Sequence, residues 1–219
     1  MAKRALIAVF GGTFDPVHIG HVQSARELKQ LLQLDELRLV PCHRPPHRAT
    51  PGVSSEDRLA MVELAVADEP GLTVDSRELA RDAISYTVDT LSELRRELGD
   101  DPALCLVMGT DAFANLTQWH RWQALLTMAH IIVMARPDSV MPTEGELAGV
   151  LAERRINNPD QLNDRPAGSI LLVSLTAYPV SATSIRRSLA AGSLQDDATL
   201  SSQLAPAVLH YIEQHQLYR

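Results

Sequence analysis

Short apolar runs alternate along this chain with segments whose apolar side chains recur every three or four residues. The runs have the length and composition of buried strands, and they cover residues 5–10, 36–40, 72–75, 104–108, 130–135 and 169–175. Helical spacing covers residues 19–34, 56–67, 87–98, 185–191 and 205–215, and also 112–126, in one piece or two. Strands that alternate with helices predict an α/β fold with a doubly wound, mainly parallel sheet and helices on both faces.

One domain accounts for the whole chain, residues 1–219. A length of 219 residues with 45% hydrophobic content is enough for one large core. Residues 137–168 are more polar and contain four prolines. We therefore predict a peripheral insertion there, with one helix near residues 144–154, and a C-terminal helical segment at 183–219.

Polar clusters follow several of the predicted strands, at residues 11–21, 109–111 and 181–186. Ligands of parallel sheets bind beyond the carboxyl ends of the strands, near the point where the strand order reverses. We expect these three clusters, distant in sequence, to meet at one edge of the sheet.

Composition narrows the range of partners. The formal net charge of −7 and a pI of about 5.6 argue against broad, sequence-independent binding of nucleic acid. No apolar run approaches the ~18 residues that a membrane span requires. Cys42 and Cys105 suggest neither a disulfide framework nor a zinc site, so a cytoplasmic location with reduced thiols is expected. The oligomeric state stays open, a homo-oligomer included.

The segment GGTFDPVHIGH, residues 11–21, carries the clearest chemistry. Glycines between a strand and a helix let the backbone approach an anion, and the N–H groups at the helix start can hold phosphate oxygens. His18 and His21 fall on one side of the first helical turn, where a polyphosphate would favour their protonated forms. The spacing matches neither the dinucleotide fingerprint nor the P-loop. An isolated pair of this kind is more often a surface or capping pair, and no third ligand at a metal-like spacing supports zinc.

This segment as a whole resembles the GGTFDPxHxGH segment of bacterial nicotinate-mononucleotide adenylyltransferases, members of the HxGH nucleotidyltransferase superfamily. Further resemblances follow in the family's order: PCHRPPHR at 41–48, SYTVDTL at 85–91, GTDAFANLTQWHRWQALL at 109–126 and VSATSIRRSL at 180–189. Two positions depart from the family pattern, because His120 stands where tyrosine is frequent and Ala182 stands where a second serine is usual.

The resemblance implies a Rossmann-like nucleotidylyl transferase fold and a reaction. Nicotinate mononucleotide would attack the α-phosphorus of ATP in line, giving nicotinate adenine dinucleotide and pyrophosphate in NAD biosynthesis. Mg²⁺ would be held mainly by the ATP phosphates, with no metal-binding residues of the protein.

Residue roles follow from the same resemblance. The catalytic residues would be His18, His21 and Arg186. ATP and its phosphates would be bound by Gly11, Gly12, Thr13, Phe14, His47, Arg48, Gly109, Asp111, Ser181 and Thr183. The nicotinate nucleotide would be bound by Thr87, Trp119 and His120.

Several alternatives remain at the level of sequence. A related enzyme could prefer nicotinamide mononucleotide or another phosphate acceptor, and a non-catalytic module could bind nucleotides on the same fold. A fragment of a class I aminoacyl-tRNA synthetase shares the letters HIGH, but it should also carry a KMSKS-like loop, which this chain lacks. Structural roles compete as well: Ser85 or Thr87 could cap a helix, Ser181 or Thr183 could cap another, and the tryptophans could belong to the core.

Overall fold

The computed structural model describes residues 3–45, 52–135, 141–192 and 198–219. Within these ranges the strands are β1 Leu6–Gly12, β2 Glu36–Pro41, β3 Leu72–Val74, β4 Ala103–Gly109, β5 His130–Ala135, β6 Arg155–Ile156 and β7 Ile170–Ser174. The α-helices are α1 Ile19–Leu32, α2 Ser55–Val66, α3 Thr87–Leu98, α4 Thr110–Ala114, α5 Trp122–Met128, α6 Gly145–Arg154, α7 Ala182–Ala190, α8 Ala198–Gln203 and α9 Pro206–Gln214. Short 3-10 helices lie at Leu116–Gln118 and Pro159–Asn163.

The described strands form one sheet in the order β3-β2-β1-β4-β5-β7-β6. Every pairing among them is parallel, so the predicted parallel sheet is confirmed. The chain moves outward in one direction from β1 to β3 and then crosses back to place β4 on the other side of β1. This reversal opens a crevice beyond the carboxyl ends of β1 and β4, where parallel sheets bind ligands.

Helices cover both faces of the sheet, because successive apolar side chains of β1 point to opposite faces and are buried on each. Leu6, Ala8 and Phe10 point into a core shared with α1, α2, α7, α8 and α9. Ile7 and Val9 point into a second core shared with α3, α4, α5 and α6. Burial on both faces explains why the strands are continuous apolar runs rather than alternating ones.

The segment predicted as helical at 112–126, in one piece or two, is divided between α4 and α5, and Arg121 adopts a left-handed conformation with φ 51° immediately before α5. Two other elements were not predicted. β6 is only two residues long and leaves no apolar run to detect. α8 was not predicted either, although Leu200 and Leu204 beside it are buried in the first core.

The segment predicted as a peripheral insertion adds β6 to one edge of the sheet. Ile156 and Leu162 enter the first core, whereas Leu147 and Leu151 of α6 enter the second. Its described part is thus anchored on both faces of the sheet.

Among the helices of the described ranges, none is both long and apolar enough to cross a membrane.

Candidate active site

The glycine turn after β1 is shaped by the ring of Phe14. Phe14 is buried and has a φ of 48°, a backbone conformation that residues other than glycine seldom adopt. A Cβ atom on Gly12 would lie 2.9 Å from this ring, so glycine is required there. The turn is also tied to β2, because the carbonyl of Gly12 accepts a hydrogen bond from Cys42 at 2.9 Å.

His18 and His21 lie together at the start of α1, as their spacing predicts. Their rings stack with centroids 3.7 Å apart, and the Phe14 ring meets His21 edge-on at 5.1 Å. The backbone N–H of His18 donates to Nδ1 of His21 at 3.3 Å. Nδ1 of a neutral His21 is therefore an acceptor, and its proton lies on Nε2.

Burial changes the charge expected for His18. The side chain is 8% exposed, and Nδ1 is buried without a hydrogen-bond partner among the described residues. Loss of solvation lowers the pKa of His18 to about 4, partly offset by a backbone hydrogen bond. In the free protein at neutral pH this imidazole is neutral, unlike the protonated form expected beside a bound polyphosphate.

Val180, just before α7, lies against the first turn of α1. A Cβ atom on Gly20 would lie 2.9 Å from Cγ1 of Val180 and 3.1 Å from the His18 ring. Glycine at this position therefore permits the close approach of residues 20 and 180. The segments that hold two of the three predicted polar clusters, residues 11–21 and 181–186, thus lie next to each other, as the hydrogen bond from Arg186 to the carbonyl of Asp15 also shows.

Arg186 reaches from α7 to the turn after β1. Its Nη1 donates to the carbonyl of Asp15 at 2.6 Å, and its Nη2 donates to Oγ1 of Thr183 at 3.3 Å. Ser181 is the N-cap of α7, and its Oγ accepts a hydrogen bond from the backbone N–H of Ser184 at 3.1 Å. The hydroxyl of Ser184 also donates to the carbonyl of Ser181 at 2.7 Å, at a helix start where Ala182 has no hydroxyl to offer.

A buried arginine that the sequence analysis missed joins two loops of the site. Arg58 of α2 is 1% exposed. Its Nη1 donates to the carbonyl of Thr13 at 2.6 Å, and its Nη2 donates to the carbonyl of His43 at 3.3 Å. The only sequence signal was a charged residue within the helix at 56–67, which is typical of a solvated face.

Ser85 continues this connection towards α3. Its Oγ accepts hydrogen bonds from the backbone N–H groups of His43 at 3.2 Å and Arg44 at 3.3 Å. The N-cap of α3 is Tyr86, without a side-chain cap, so the expected capping role of Ser85 or Thr87 is wrong. The hydroxyl of Ser85 is used to hold the neighbouring loop instead.

The predicted nicotinate-binding residues lie around the start of α3 and the break between α4 and α5. Thr87 is the first residue of α3, and the ring of the preceding Tyr86 lies 4.4 Å from the exposed ring of His120. Trp119 is half-buried in extended backbone, whereas Trp122 is buried in the second core. The structure thus brings Thr87 and His120 together through Tyr86.

The remaining predicted residues divide into two groups. Gly109 ends β4 and Asp111 lies exposed in the first turn of α4, so both follow the strand that pairs with β1. His47 and Arg48 lie outside the described residues.

A Mg²⁺ site built from protein groups alone would need several grouped oxygen ligands. Within residues 3–45, 52–135, 141–192 and 198–219, no three His, Cys, Asp or Glu side chains are grouped to hold a metal ion. Mg²⁺ keeps several waters and is commonly bound by one or two carboxylates together with substrate phosphates.

Comparison with known proteins gives a consistent result. The family model described as Cytidylyltransferase-like matches residues 9–188. A relative from Pseudomonas aeruginosa is 51% identical over 219 residues, covering 100% of this chain and 99% of the relative. A relative from Cellvibrio japonicus is 48% identical over 216 residues, covering 99% and 100%. Both relatives bear the name "Probable nicotinate-nucleotide adenylyltransferase".

Solved structures agree at the level of the fold. Nicotinic acid mononucleotide adenylyltransferase of Plasmodium falciparum, complexed with NaAD, superposes with a TM-score of 0.73 at 16% identity and covers 98% of each chain. A putative nicotinate-nucleotide adenylyltransferase from Vibrio parahaemolyticus gives a TM-score of 0.63 at 16% identity, covering 100% of this chain and 96% of that one.

The parallel sheet, the glycine turn and the paired histidines define a nucleotidyltransferase of the cytidylyltransferase-like class. Within that class, near-complete coverage at about half identity decides the family. The chain belongs to the nicotinate-nucleotide adenylyltransferase family.

Proposed function

We propose that this protein transfers the adenylyl group of ATP to nicotinate mononucleotide, releasing pyrophosphate and forming nicotinate adenine dinucleotide for NAD biosynthesis. The observation that carries the proposal is the meeting of the two phosphate-binding segments, where Arg186 of α7 donates to the carbonyl of Asp15 at 2.6 Å. Full-length relatives at about 51% identity that bear the adenylyltransferase name support the same activity.

The reaction is a direct displacement at phosphorus. An oxygen of the 5′-phosphate of nicotinate mononucleotide forms a bond to the α-phosphorus of ATP, while the bond from that phosphorus to the bridging oxygen breaks. Pyrophosphate leaves with the electron pair of this bond. The attacking phosphate is already largely deprotonated at neutral pH, so the protein contributes position and charge stabilisation rather than a base.

The histidine pair is proposed to act on the phosphates of ATP. His18 stabilises the transition state at the α-phosphate, and His21 contacts the β-phosphate through its Nε2–H. A bound phosphate would supply a hydrogen-bond partner for the His18 ring, whose Nδ1 otherwise has none among the described residues. Its negative charge would also raise the pKa of His18 from the low value imposed by burial.

Backbone and side-chain donors hold the rest of the triphosphate in this proposal. Gly12, Thr13 and Phe14 lie along it, while Thr183 and Arg186 grip the β- and γ-phosphates. A bidentate guanidinium matches the spacing of phosphate oxygens. Mg²⁺ on the ATP phosphates would neutralise charge that builds up on them, with the ion carried by substrate and water.

Selection of the nicotinate acid is proposed for the start of α3. Thr87 and its neighbours offer backbone N–H groups at a helix N-terminus, which suits a carboxylate. Trp119 and His120 border the same region, and the ring of Tyr86 lies 4.4 Å from that of His120, tilted by 34°. An uncharged amide gains less from a helix N-terminus than a carboxylate does. The runner-up function is adenylyl transfer to nicotinamide mononucleotide or another phosphate acceptor.

A coupled assay of pyrophosphate release tests the proposal. Purified protein is supplied with ATP, Mg²⁺ and either nicotinate mononucleotide or nicotinamide mononucleotide. We expect turnover with both, and a higher kcat/KM for the acid. A higher kcat/KM for the amide would identify nicotinamide mononucleotide as the preferred acceptor. Binding of ATP without release of pyrophosphate in the presence of any acceptor would favour a nucleotide-binding module. Omission of Mg²⁺ is expected to reduce the rate strongly.

The cellular setting is proposed on simpler grounds. Both cysteines are free, and burial raises the pKa of Cys42 to about 11, which keeps the thiol protonated and unreactive. Free thiols and a need for ATP both fit the cytoplasm.

A further inference from the structure

The C-terminal end of the chain returns to the turn after β1. Beyond α9, left-handed backbone at Gln216 (φ 53°) and Tyr218 (φ 62°) folds the chain back, and the N–H of Leu217 donates to the carbonyl of Ile212 at 3.1 Å. The side chains of Leu217 and Tyr218 pack against the first core. In this position the hydroxyl of Tyr218 donates to Oδ1 of Asp15 at 2.7 Å.

Asp15 connects this tyrosine to the arginine of the phosphate site. Its carboxylate is 11% exposed, and its backbone carbonyl accepts from Nη1 of Arg186 at 2.6 Å. Oδ2 of Asp15 lies 3.8 Å from the same Nη1, which is longer than a direct charge-assisted hydrogen bond. The carboxylate thus stands beside Arg186 without forming a close ion pair with it.

The hydrogen bond from Tyr218 persists over the working range of pH. Burial raises the pKa of the Tyr218 phenol, and the neighbouring charge of Asp15 raises it further. The phenol therefore stays protonated and remains a donor. Without this donor, the shielded carboxylate of Asp15 would be drawn towards the guanidinium of Arg186, whose Nη1 already lies 3.8 Å from Oδ2.

We propose that Tyr218 is a positioning residue for ATP: its hydroxyl holds the Asp15 carboxylate away from a close ion pair with Arg186 and so leaves the guanidinium available to the phosphates. The inference rests on the proposed function, in which Arg186 binds the β- and γ-phosphates. Tyr218 itself touches no reacting atom in this scheme.

Tyr218→Phe tests the proposal, because it removes the hydroxyl and keeps the ring. We expect KM for ATP to rise between about 10-fold and 150-fold, as for loss of one hydrogen bond to a charged group, with KM for nicotinate mononucleotide little changed. Tyr211→Phe is the matched control, since it removes a hydroxyl that donates at 2.9 Å to another carboxylate, Oδ1 of Asp57. The control is expected to lose similar thermal stability but to keep the wild-type KM for ATP.

Two further variants separate positioning from a structural role. Asp15→Asn in the Tyr218→Phe background removes the competing charge and should return KM for ATP towards the wild-type value. In an Arg186→Gln background, Tyr218→Phe should have no additional effect on KM for ATP.

Unchanged KM for ATP, equal rises in KM for both substrates, absence of rescue by Asp15→Asn, or additive effects with Arg186→Gln would each overturn the proposal. If Tyr218→Phe alone does not fold, the rescued double variant and the Arg186→Gln pair decide. Absence of activity in the wild-type protein would contradict the proposed function instead. A titration of Tyr218→Phe with a non-hydrolysable ATP analogue would then still show whether nucleotide affinity depends on Tyr218.

Discussion

At the scale of single residues, His18 shows how burial changes the state of a predicted catalytic residue. A buried polar atom is normally hydrogen-bonded, yet Nδ1 of His18 has no partner among the described residues. Burial also holds the ring neutral, with the pKa lowered to about 4. Burial of an unpartnered nitrogen costs free energy in the free protein, and we expect that cost to fall if an anion binds beside the ring.

The low pKa of His18 predicts a dependence of stability on pH. Between pH 6.5 and about 4 the unfolded chain binds more protons at this position than the folded chain, so the contribution is complete above pH 6.5 and is lost as pH falls towards 4. From pH 7 to pH 5, we expect the free energy of unfolding of the wild type to fall by about 1 to 2 kcal/mol more than that of His18→Asn. Denaturant unfolding at both pH values measures this, and parallel losses in the two proteins would contradict it.

Removal of the His18 ring is expected to impair the chemical step. His18→Ala should lower kcat by about 10²- to 10³-fold, the usual loss for one donor to developing charge, with an unchanged far-UV circular dichroism spectrum. His210→Ala, an exposed histidine of α9, is the control and should keep the wild-type kcat. A folded His18→Ala protein with near-normal kcat would refute the catalytic role.

At the scale of elements, the site depends on where helices begin and end. α1 starts at Ile19, so His18 is its N-cap and Gly20 lies in its first turn, facing Val180. α4 and α5 are separated by extended backbone at Trp119 and a left-handed Arg121. Helical spacing indicated these helices, but neither close approach nor the break follows from spacing, because both depend on side chains packed from elsewhere in the chain.

Close packing at the start of α1 predicts an unusual cost for a glycine-to-alanine change. Alanine ordinarily stabilises a helix interior by about 0.5 to 1 kcal/mol relative to glycine. Gly149→Ala in α6 should show that gain, since its Cβ would meet no atom within 4 Å. Gly20→Ala should instead destabilise by about 1 to 3 kcal/mol and lower kcat, because Val180 and the His18 ring must move. Thermal unfolding and initial rates of both variants provide the check, and equal stabilisation of the two would contradict the crowded geometry.

The break between α4 and α5 predicts a selective role for Trp119. Trp119→Ala is expected to raise KM for nicotinate mononucleotide more than KM for ATP, because the half-buried indole borders the predicted acceptor site. Trp122→Ala should mainly lower stability, by about 3 to 5 kcal/mol, because its side chain fills the second core. Equal rises in both KM values for Trp119→Ala would argue against contact with the pyridine ring.

At the scale of the whole molecule, the sequence predicts the scaffold better than the connections across it. Buried parallel strands appear as apolar runs, so the sheet and most of its helices were predictable from composition and period alone. The predicted roles of Arg186 and Thr87 came from resemblance, since no local pattern shows which parts of the chain the starts of α7 and α3 lie against. Arg58 and Tyr218 were not predicted, because an arginine in a helix and a tyrosine near a chain end look like surface residues until the loops that cover them are known.

Arg58 allows a test of the contacts that link loops distant in sequence. It is buried and joins the carbonyl of Thr13, in the turn after β1, to that of His43, whose N–H is held by Ser85 beside the start of α3. Arg58→Ala leaves two carbonyls without this donor, so we expect a loss of about 2 to 4 kcal/mol in the free energy of unfolding. KM should rise for both substrates, because the loops at both ends lose a common support.

Arg96→Ala is the control for this change, since Arg96 is exposed on α3, and we expect its effect on stability to stay within about 0.5 kcal/mol. Denaturant unfolding and initial rates with each substrate varied in turn would measure both variants. If Arg58→Ala raised KM for ATP alone, the loop that begins at His43 would be held in place without Arg58. The link between the two ends of the site would then rest on Ser85, whose Oγ accepts from the N–H groups of both His43 and Arg44.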